Sequence, residues 1–467
     1  MSRSEDLYLL GTVSQLAFHS VSSAGTHNVS VPVNNWPEGS AEWVETFGVR
    51  VFAFNQDAIT AIVDLVSTVE LFIPSETEGP AVPPASIPRT LAFMREYAMN
   101  PLPPSGLKSV TDVHPDDIPS GTILAILRLD GLAALEDWGT GAHTDHIAMA
   151  FRWDNGTLMV VESTDTTSYW TRPNIQMHTW EEWVPLALAA DFNIMLLAPS
   201  EATQAAFDSQ AAQAFIEKST GLPYGYHNFL WGFVDTPSGN LPYPATWELL
   251  EVVFGVVSGF DSAIAKKMWE YAFNFHIGTQ GLNTPQVALH AWKQLGMTMG
   301  EVMAVPEQDD WVYPDGPSMV CDVYACEIFK AGGVFGPLAQ DIQCTEFNNK
   351  DLYSLALFNA TYWEHVPACR DNSPTTDTCQ LMGNYTITLD GSRKPLKHRR
   401  LSPSTMVQLE GLAFLLAGLG TVLVLAAITS LVLLRRRSPV VVASGPSYAM
   451  LQALGGSQPS HMLLLEV

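Results

Sequence analysis

Three residues have the types and the order that nucleophilic catalysis requires: His146, Glu162 and Cys321. A cysteine sulfur can attack a carbonyl, an imidazole beside it takes the proton, and a carboxylate on the far ring nitrogen holds the tautomer and orientation. Cys321 follows the turn DGPSMV and opens the stretch CDVYACEIFKAGG, which reads as a helix ending at Gly332-Gly333. Unsatisfied N–H groups and the macrodipole at a helix N-terminus favour thiolate, so this position is expected to lower the thiol pKa. The Cys321 backbone N–H is also placed to serve an oxyanion hole. Cys326, one turn deeper, is expected to pack or pair instead. His143 is the rival base, but only His146 begins an apolar alternation, and Asp165 is the rival carboxylate just beyond the strand that carries Glu162. Each residue also has an ordinary reading, since free cysteines are often buried and glutamates mostly solvated.

The elements that must position these groups are legible around them. SGTILAILRLDG is an apolar, β-rich run after a turn. HIAMAFRW and TLMVVEST read as the two strands of a hairpin joined at Asp154-Asn155-Gly156, which places His146 and Glu162 on partner strands. Residues 201–218 read as one amphipathic helix. The turn GLPYGY follows, and Tyr224, Tyr226, His227 and Asn228 are candidates either to line a substrate cleft or to pack the turn. Trp170, Trp180 and Trp183 are expected in the core rather than on a substrate platform.

In this order the motifs resemble the circularly permuted papain-like branch of the NlpC-type cysteine hydrolases, which includes the YiiX-like and lecithin-retinol-acyltransferase-like groups. The matching stretches are HIAMAF from His146, VVES with Glu162, GLPYGY from Gly221 to Tyr226, and CDVYACEIF from Cys321. They cover roughly residues 118–335. The resemblance implies an α+β fold, with an antiparallel sheet and packed helices, and a Cys321–His146–Glu162 site acting on an amide, ester or thioester. It implies a peptide or lipid-acyl substrate, met by Tyr224 and Tyr226, and no cofactor. Two departures stand out: Asp322 occupies a position where the family places a small polar serine, and a long insert runs from about Pro237 to Pro314.

A second strong feature lies near the C-terminus. From Gly411 to Leu434 run 24 residues without a charge (411 to 434 inclusive). At about 1.5 Å per residue they span about 36 Å, enough for a hydrocarbon core of about 30 Å. A single transmembrane helix is the expectation. Arg435, Arg436 and Arg437 abut it, which suits a cytoplasmic tail, although Arg393, Lys394, Lys397, Arg399 and Arg400 precede it at a distance. Four N-x-[ST] sequons, at Asn28, Asn155, Asn359 and Asn384, favour a lumenal or extracellular N-terminal region. The start, MSRSEDLYLLGTVSQLAF, has acids at Glu5 and Asp6 and no signal-like apolar run, so either the true start lies upstream of Met1, the favoured expectation, or the anchor itself directs insertion. In the tail, Tyr448-Ala449-Met450-Leu451 fits a Tyr-x-x-apolar sorting pattern, implying a sorting adaptor as partner and an endolysosomal or cell-surface address.

Cysteine usage fits that compartment. Cys369 and Cys379 bracket a short polar loop and are expected to form a disulfide; if Cys326 pairs with Cys344, Cys321 is the one thiol left of five. No CxxC spacing is present, so a metal site is not expected. A net charge of −25 with few Lys and Arg disfavours nucleic acid and anionic lipid as partners. With 13 Trp and 21 Phe, a disordered ectodomain is excluded. The expected organisation is an N-terminal region (1–117), the papain-like domain (118–344) with its insert (237–314), a polar stalk or closing segment (345–410), the transmembrane helix (411–434) and a tail (435–467). The leading expectation is a membrane-anchored cysteine hydrolase or acyltransferase. The alternative is a receptor or binding protein that keeps the scaffold without the chemistry.

Overall fold

The run TILAIL carries no charge and alternates nothing, the pattern of a strand covered on both faces, and all six of its residues are buried. The computed structural model describes residues 6–21, 26–30, 36–53, 80–107, 109–164, 174–235, 247–260, 262–372, 378–389 and 462–466. Its strands are β1 Asp6–Thr12, β2 Gln15–Val21, β3 Thr26–Ser30, β4 Arg50–Ala53, β5 Thr122–Leu127, β6 His146–Arg152, β7 Leu158–Ser163, β8 Ile175–Thr179, β9 Asn193–Leu197, β10 Cys379–Met382 and β11 Met462–Glu466. Six of them form one antiparallel sheet in the order β10-β9-β5-β6-β7-β8. The chain is therefore mixed α+β, an antiparallel sheet with packed helices.

The expected hairpin is present. β6 and β7 pair in the register Ala148↔Glu162 through Arg152↔Leu158. Gly156 makes the turn at φ +87, a left-handed conformation that costs glycine nothing, and its N–H donates to the Trp153 carbonyl at 2.8 Å. The two faces of β6 meet different cores, as period-two alternation demands. Ile147, Met149 and Phe151 pack with the Cys321–Ala331 helix and the Ser209–Ser219 helix. Ala148 and Ala150 pack with the Trp180–Ala189 helix. That helix begins at a reciprocal cap, in which Thr179 Oγ1 accepts the Glu182 N–H and Glu182 returns the bond to the Thr179 N–H.

One expected helix is divided. Residues 201–218 form two helices, Glu201–Ala206 and Ser209–Ser219. Asp208 interrupts them because its carboxylate accepts the N–H groups of Gln210 and Ala211, each at 3.0 Å, and so starts a new helix.

The insert is not an isolated excursion. Its Trp247–Phe260 helix packs on β1 and β2 of a three-stranded sheet ordered β2-β1-β4. Trp43 Nε1 donates to Glu251 Oε1 at 2.7 Å across that contact. The approach is close enough that a Cβ on Gly255 would lie 2.0 Å from the Val13 carbonyl oxygen. The N-terminal region and the insert, far apart in sequence, share one packed unit.

β10 pairs with β9 and completes the edge of the central sheet. The expected Cys369–Cys379 disulfide is formed, Cys326 is paired with Cys344, and Cys321 is the free cysteine. β11 pairs with β3 in a separate two-stranded ladder. Gly411–Leu434, Tyr448, Asp165 and Trp170 lie outside the described residues. Among the described residues no helix is long and apolar enough to cross a membrane.

Candidate active site

β6 begins at His146 and the β6–β7 ladder ends at Ala148↔Glu162, so the imidazole and the carboxylate meet at the open end of the hairpin. His146 Nε2 lies 2.8 Å from Glu162 Oε2. The other carboxylate oxygen, Oε1, accepts Trp183 Nε1–H at 2.8 Å. Glu162 and Trp183 are fully buried and His146 is 7% exposed, so the pair is held in low dielectric with both carboxylate oxygens satisfied. A carboxylate facing Nε2 fixes the hydrogen there and leaves the lone pair of the neutral ring on Nδ1, the form a general base needs. Nδ1 has no hydrogen-bond partner among the described residues. Trp183 is a core residue, as expected, and it also locks the carboxylate.

Cys321 is the first residue of its helix, as expected. Its sulfur donates its hydrogen to Asn349 Oδ1 at 3.8 Å, and the nearby backbone amides of Ile147 and Asp322 favour its charged form. The Ile147 amide is one peptide from His146, so the thiol is seated against the start of β6. Among the described residues no hydrogen bond joins Cys321 to His146. The imidazole lies with Phe192 and Trp183 on one face of the sheet, and Cys321 packs with Ile147 on the other.

The expectation of a lowered thiol pKa is corrected. Burial pushes the Cys321 thiol well above its ordinary value, and the nearby Asp322 and Glu136 carboxylates push it further. The amides of Ile147 and Asp322 pull the other way but are outweighed. Asp322 is itself pushed up to about 7 by burial. Burial likewise raises Glu136, Asp137 and Asp145, with the neighbouring carboxylates adding to it. A helix N-terminus attracts negative charge, and here the adjacent carboxylate competes with the sulfur for it.

The rival residues are engaged elsewhere. His143 donates its backbone N–H to Tyr353 Oη at 3.1 Å and sets Nδ1 on the Thr388 carbonyl. Cys326 is disulfide-bonded. Tyr224 and Tyr226 are half-buried with rings 5.2 Å apart, and the Gly225 N–H between them donates to the Met319 carbonyl at 3.0 Å. The turn therefore docks two residues upstream of Cys321. Gly225 is required there, since a Cβ would sit 2.8 Å from Met319 Cα and 2.5 Å from Asn228 Oδ1.

Asn349 escaped the sequence reading. It lies 28 residues beyond Cys321 in the NNKDLY stretch, where the one available signal is Asn348, the residue that caps the Asn349–Ser354 helix. Asp309, Glu327 and Cys344 come within 4.8 Å of one another, but Cys344 is disulfide-bonded and Lys330 pairs with Asp309, which leaves no open ligand set. Of the sequons, Asn155 and Asn384 are exposed and Asn359 is half-buried, while the side chain of Asn28 lies outside the description. No family model, curated protein or solved structure matches this chain.

Proposed function

We propose that this chain is a cysteine-dependent hydrolase or acyltransferase of permuted papain-like fold, acting on an amide, ester or thioester. The observation that carries the reading is the His146–Glu162 pair at 2.8 Å, locked by Trp183, together with a free buried thiol near the Ile147 amide, the next residue of the same strand. In the proposed cycle His146 Nδ1 takes the Cys321 thiol proton and the sulfur attacks the carbonyl carbon. His146 then delivers that proton to the leaving amine, alcohol or thiol as the tetrahedral intermediate collapses to an acyl-enzyme. Water, or an acceptor alcohol or amine, gives up a proton to His146 and attacks the thioester, restoring the thiol. Glu162 keeps Nε2 protonated throughout and stabilises the imidazolium. The half-buried Tyr224 and Tyr226 are proposed to border the substrate.

The raised thiol pKa and 5% exposure of Cys321 support a second reading, a binding protein that keeps the scaffold without turnover. Iodoacetamide labelling separates the two. A catalytic thiol labels in the native protein, loses labelling in Cys321→Ala, and labels more slowly in His146→Ala. A native Cys321 that stays unlabelled while the fold is intact overturns the hydrolase reading.

The membrane anchor, the lumen-facing domain and the Tyr448 sorting motif remain part of the proposal on sequence grounds. The β3–β11 ladder opposes a single span, because one crossing between Ser30 and Met462 would separate the two strands. The physical balance favours the span. A two-stranded ladder is marginal in water on its own, whereas 24 uncharged residues from 411 to 434 are costly to expose. Endoglycosidase treatment of the full-length protein decides the matter: a mobility shift places the domain in the lumen, and no shift with all sequons intact places it in the cytosol.

A further inference from the structure

We infer that Asn349 is the positioning residue of the thiol, setting where the Cys321 sulfur and its proton rest relative to His146; the inference rests on the cysteine-hydrolase reading above. Asn349 opens the short Asn349–Ser354 helix and is 5% exposed. Its Nδ2 donates to the Thr144 carbonyl at 2.8 Å, and its Oδ1 faces the Cys321 sulfur at 3.8 Å. A carbonyl accepts only, so the Thr144 contact dictates which end of the amide is nitrogen. Turning the amide over would set oxygen against oxygen. One planar group therefore links the loop that enters the His146 strand to the sulfur that begins the Cys321 helix.

The segment that carries Asn349 is braced against the two elements it joins. Asn348 Oδ1 accepts the Asp351 N–H at 3.1 Å and Asp351 returns the bond to the Asn348 N–H at 3.0 Å. Tyr353 Oη accepts the His143 N–H, three residues before His146. On the other side, Cys344 ties the start of the segment to Cys326 in the second turn of the Cys321 helix, and both sulfurs are fully buried. Asn349 cannot drift without disturbing a disulfide, a capped helix and the approach to β6.

The chemical consequence follows from what Asn349 accepts. A hydrogen bond taken from S–H stabilises the neutral thiol. The resting proton lies on the Asn349 side of the sulfur, and attack requires the S–H to turn from Oδ1 to His146 Nδ1. Asn349 thus holds the thiol protonated and in register until the base takes over.

The test is the pH dependence of iodoacetamide alkylation of Cys321 in the full chain. Asn349→Leu removes the acceptor at similar volume, and its alkylation midpoint is expected to fall by about one pH unit. Asn349→Asp keeps an oxygen towards the sulfur and adds negative charge, so its midpoint is expected to rise. Opposite shifts are a signature that loss of packing alone cannot produce. Mass measurement of both disulfides confirms that each variant is native, and Asn349→Ala takes the place of the leucine variant, with the same expected fall, if that variant does not fold. Midpoints that stay within about 0.3 unit of the parent, or that move in the same direction, overturn the inference. Parallel labelling of His146→Ala keeps the two ideas apart. If that variant labels like the parent, the hydrolase reading falls and this inference with it. If His146 matters and Asn349 does not, this inference alone falls.

Discussion

Two buried histidine–glutamate pairs occupy different parts of this molecule, and they differ at one ring nitrogen. In the sheet, His146 commits Nε2 to Glu162 and leaves Nδ1 without a hydrogen bond among the described residues. In the insert, His276 commits both nitrogens, Nδ1 to the Val302 carbonyl at 2.8 Å and Nε2 to Glu307 Oε1 at 2.7 Å. The two carboxylates are also held differently. Glu162 takes its second bond from an indole N–H, whereas Glu307 Oε1 accepts the Tyr313 hydroxyl at 2.6 Å. His227 packs edge-on against Tyr313, ring centroids 4.6 Å apart, and burial pulls its pKa down to about 4, so it stays neutral. With both ring nitrogens and the carboxylate engaged, the insert pair ties its segments together. The sheet pair keeps one ring nitrogen without a hydrogen bond among the described residues. Proximity of His to Glu is common to both, and the free ring nitrogen of His146 is what separates them.

The sharpest way to break this comparison is to remove each carboxylate. Glu307→Ala strands His276 and Tyr313 in the interior, and is expected to cost about 3–5 kcal/mol in denaturant unfolding. Cys321 alkylation in the folded fraction should be unchanged; a slowed thiol there would mean that the insert pair reaches the site. His146→Ala is expected to reverse the pattern, lowering Cys321 alkylation roughly tenfold at pH 8, with a stability loss smaller than that of Glu307→Ala.

Asp322 sharpens the electrostatic half of the argument. Its carboxyl titrates at about 7, above the ordinary value, so the folded state binds its proton more tightly than the unfolded chain does. Its contribution to stability is present at low pH and is lost as pH rises towards and through 7. Asp322→Asn should therefore be more stable than the parent at pH 8. It should also alkylate at Cys321 roughly tenfold faster there, because a negative charge beside the sulfur is gone. Below about pH 6, where the parent Asp322 is already neutral, the two rates should converge. Equal rates at pH 8 would show that Asp322 does not act on the thiol.

The smallest expected effect concerns the lock on Glu162. Trp183→Phe keeps most of the packing and removes the indole donor, for an expected loss of about 1–2 kcal/mol in thermal unfolding. A thiol whose reactivity also falls would assign Trp183 a part in aligning His146; unchanged reactivity would confine it to the core.

Local chemistry was readable wherever a short stretch decides its own conformation. The hairpin at Asp154-Asn155-Gly156, the strand TILAIL, the helix opening at Cys321 and the pairing of Cys369 with Cys379 across a short loop all follow from neighbours a few residues apart. Asp208 shows where such reading slips: it carries an amphipathic pattern across a break that its own capping bonds impose. The union of the N-terminal strands with the insert was invisible, because Trp43 and Glu251 meet across 208 positions and neither signals the other.

Sequence by itself determined the candidate residues and the apolar run at 411–434, since residue type and spacing are local properties, while the α+β class came through a resemblance and the free thiol hung on one assumed pairing. Tertiary structure decided what those residues can do. It gave one histidine an open nitrogen and closed another, raised a thiol that its helix position alone would have lowered, and brought Asn349 to the sulfur. Each of these depends on which distant groups exclude water from a site and which hydrogen bonds remain to be filled, and both are set only when the chain has packed.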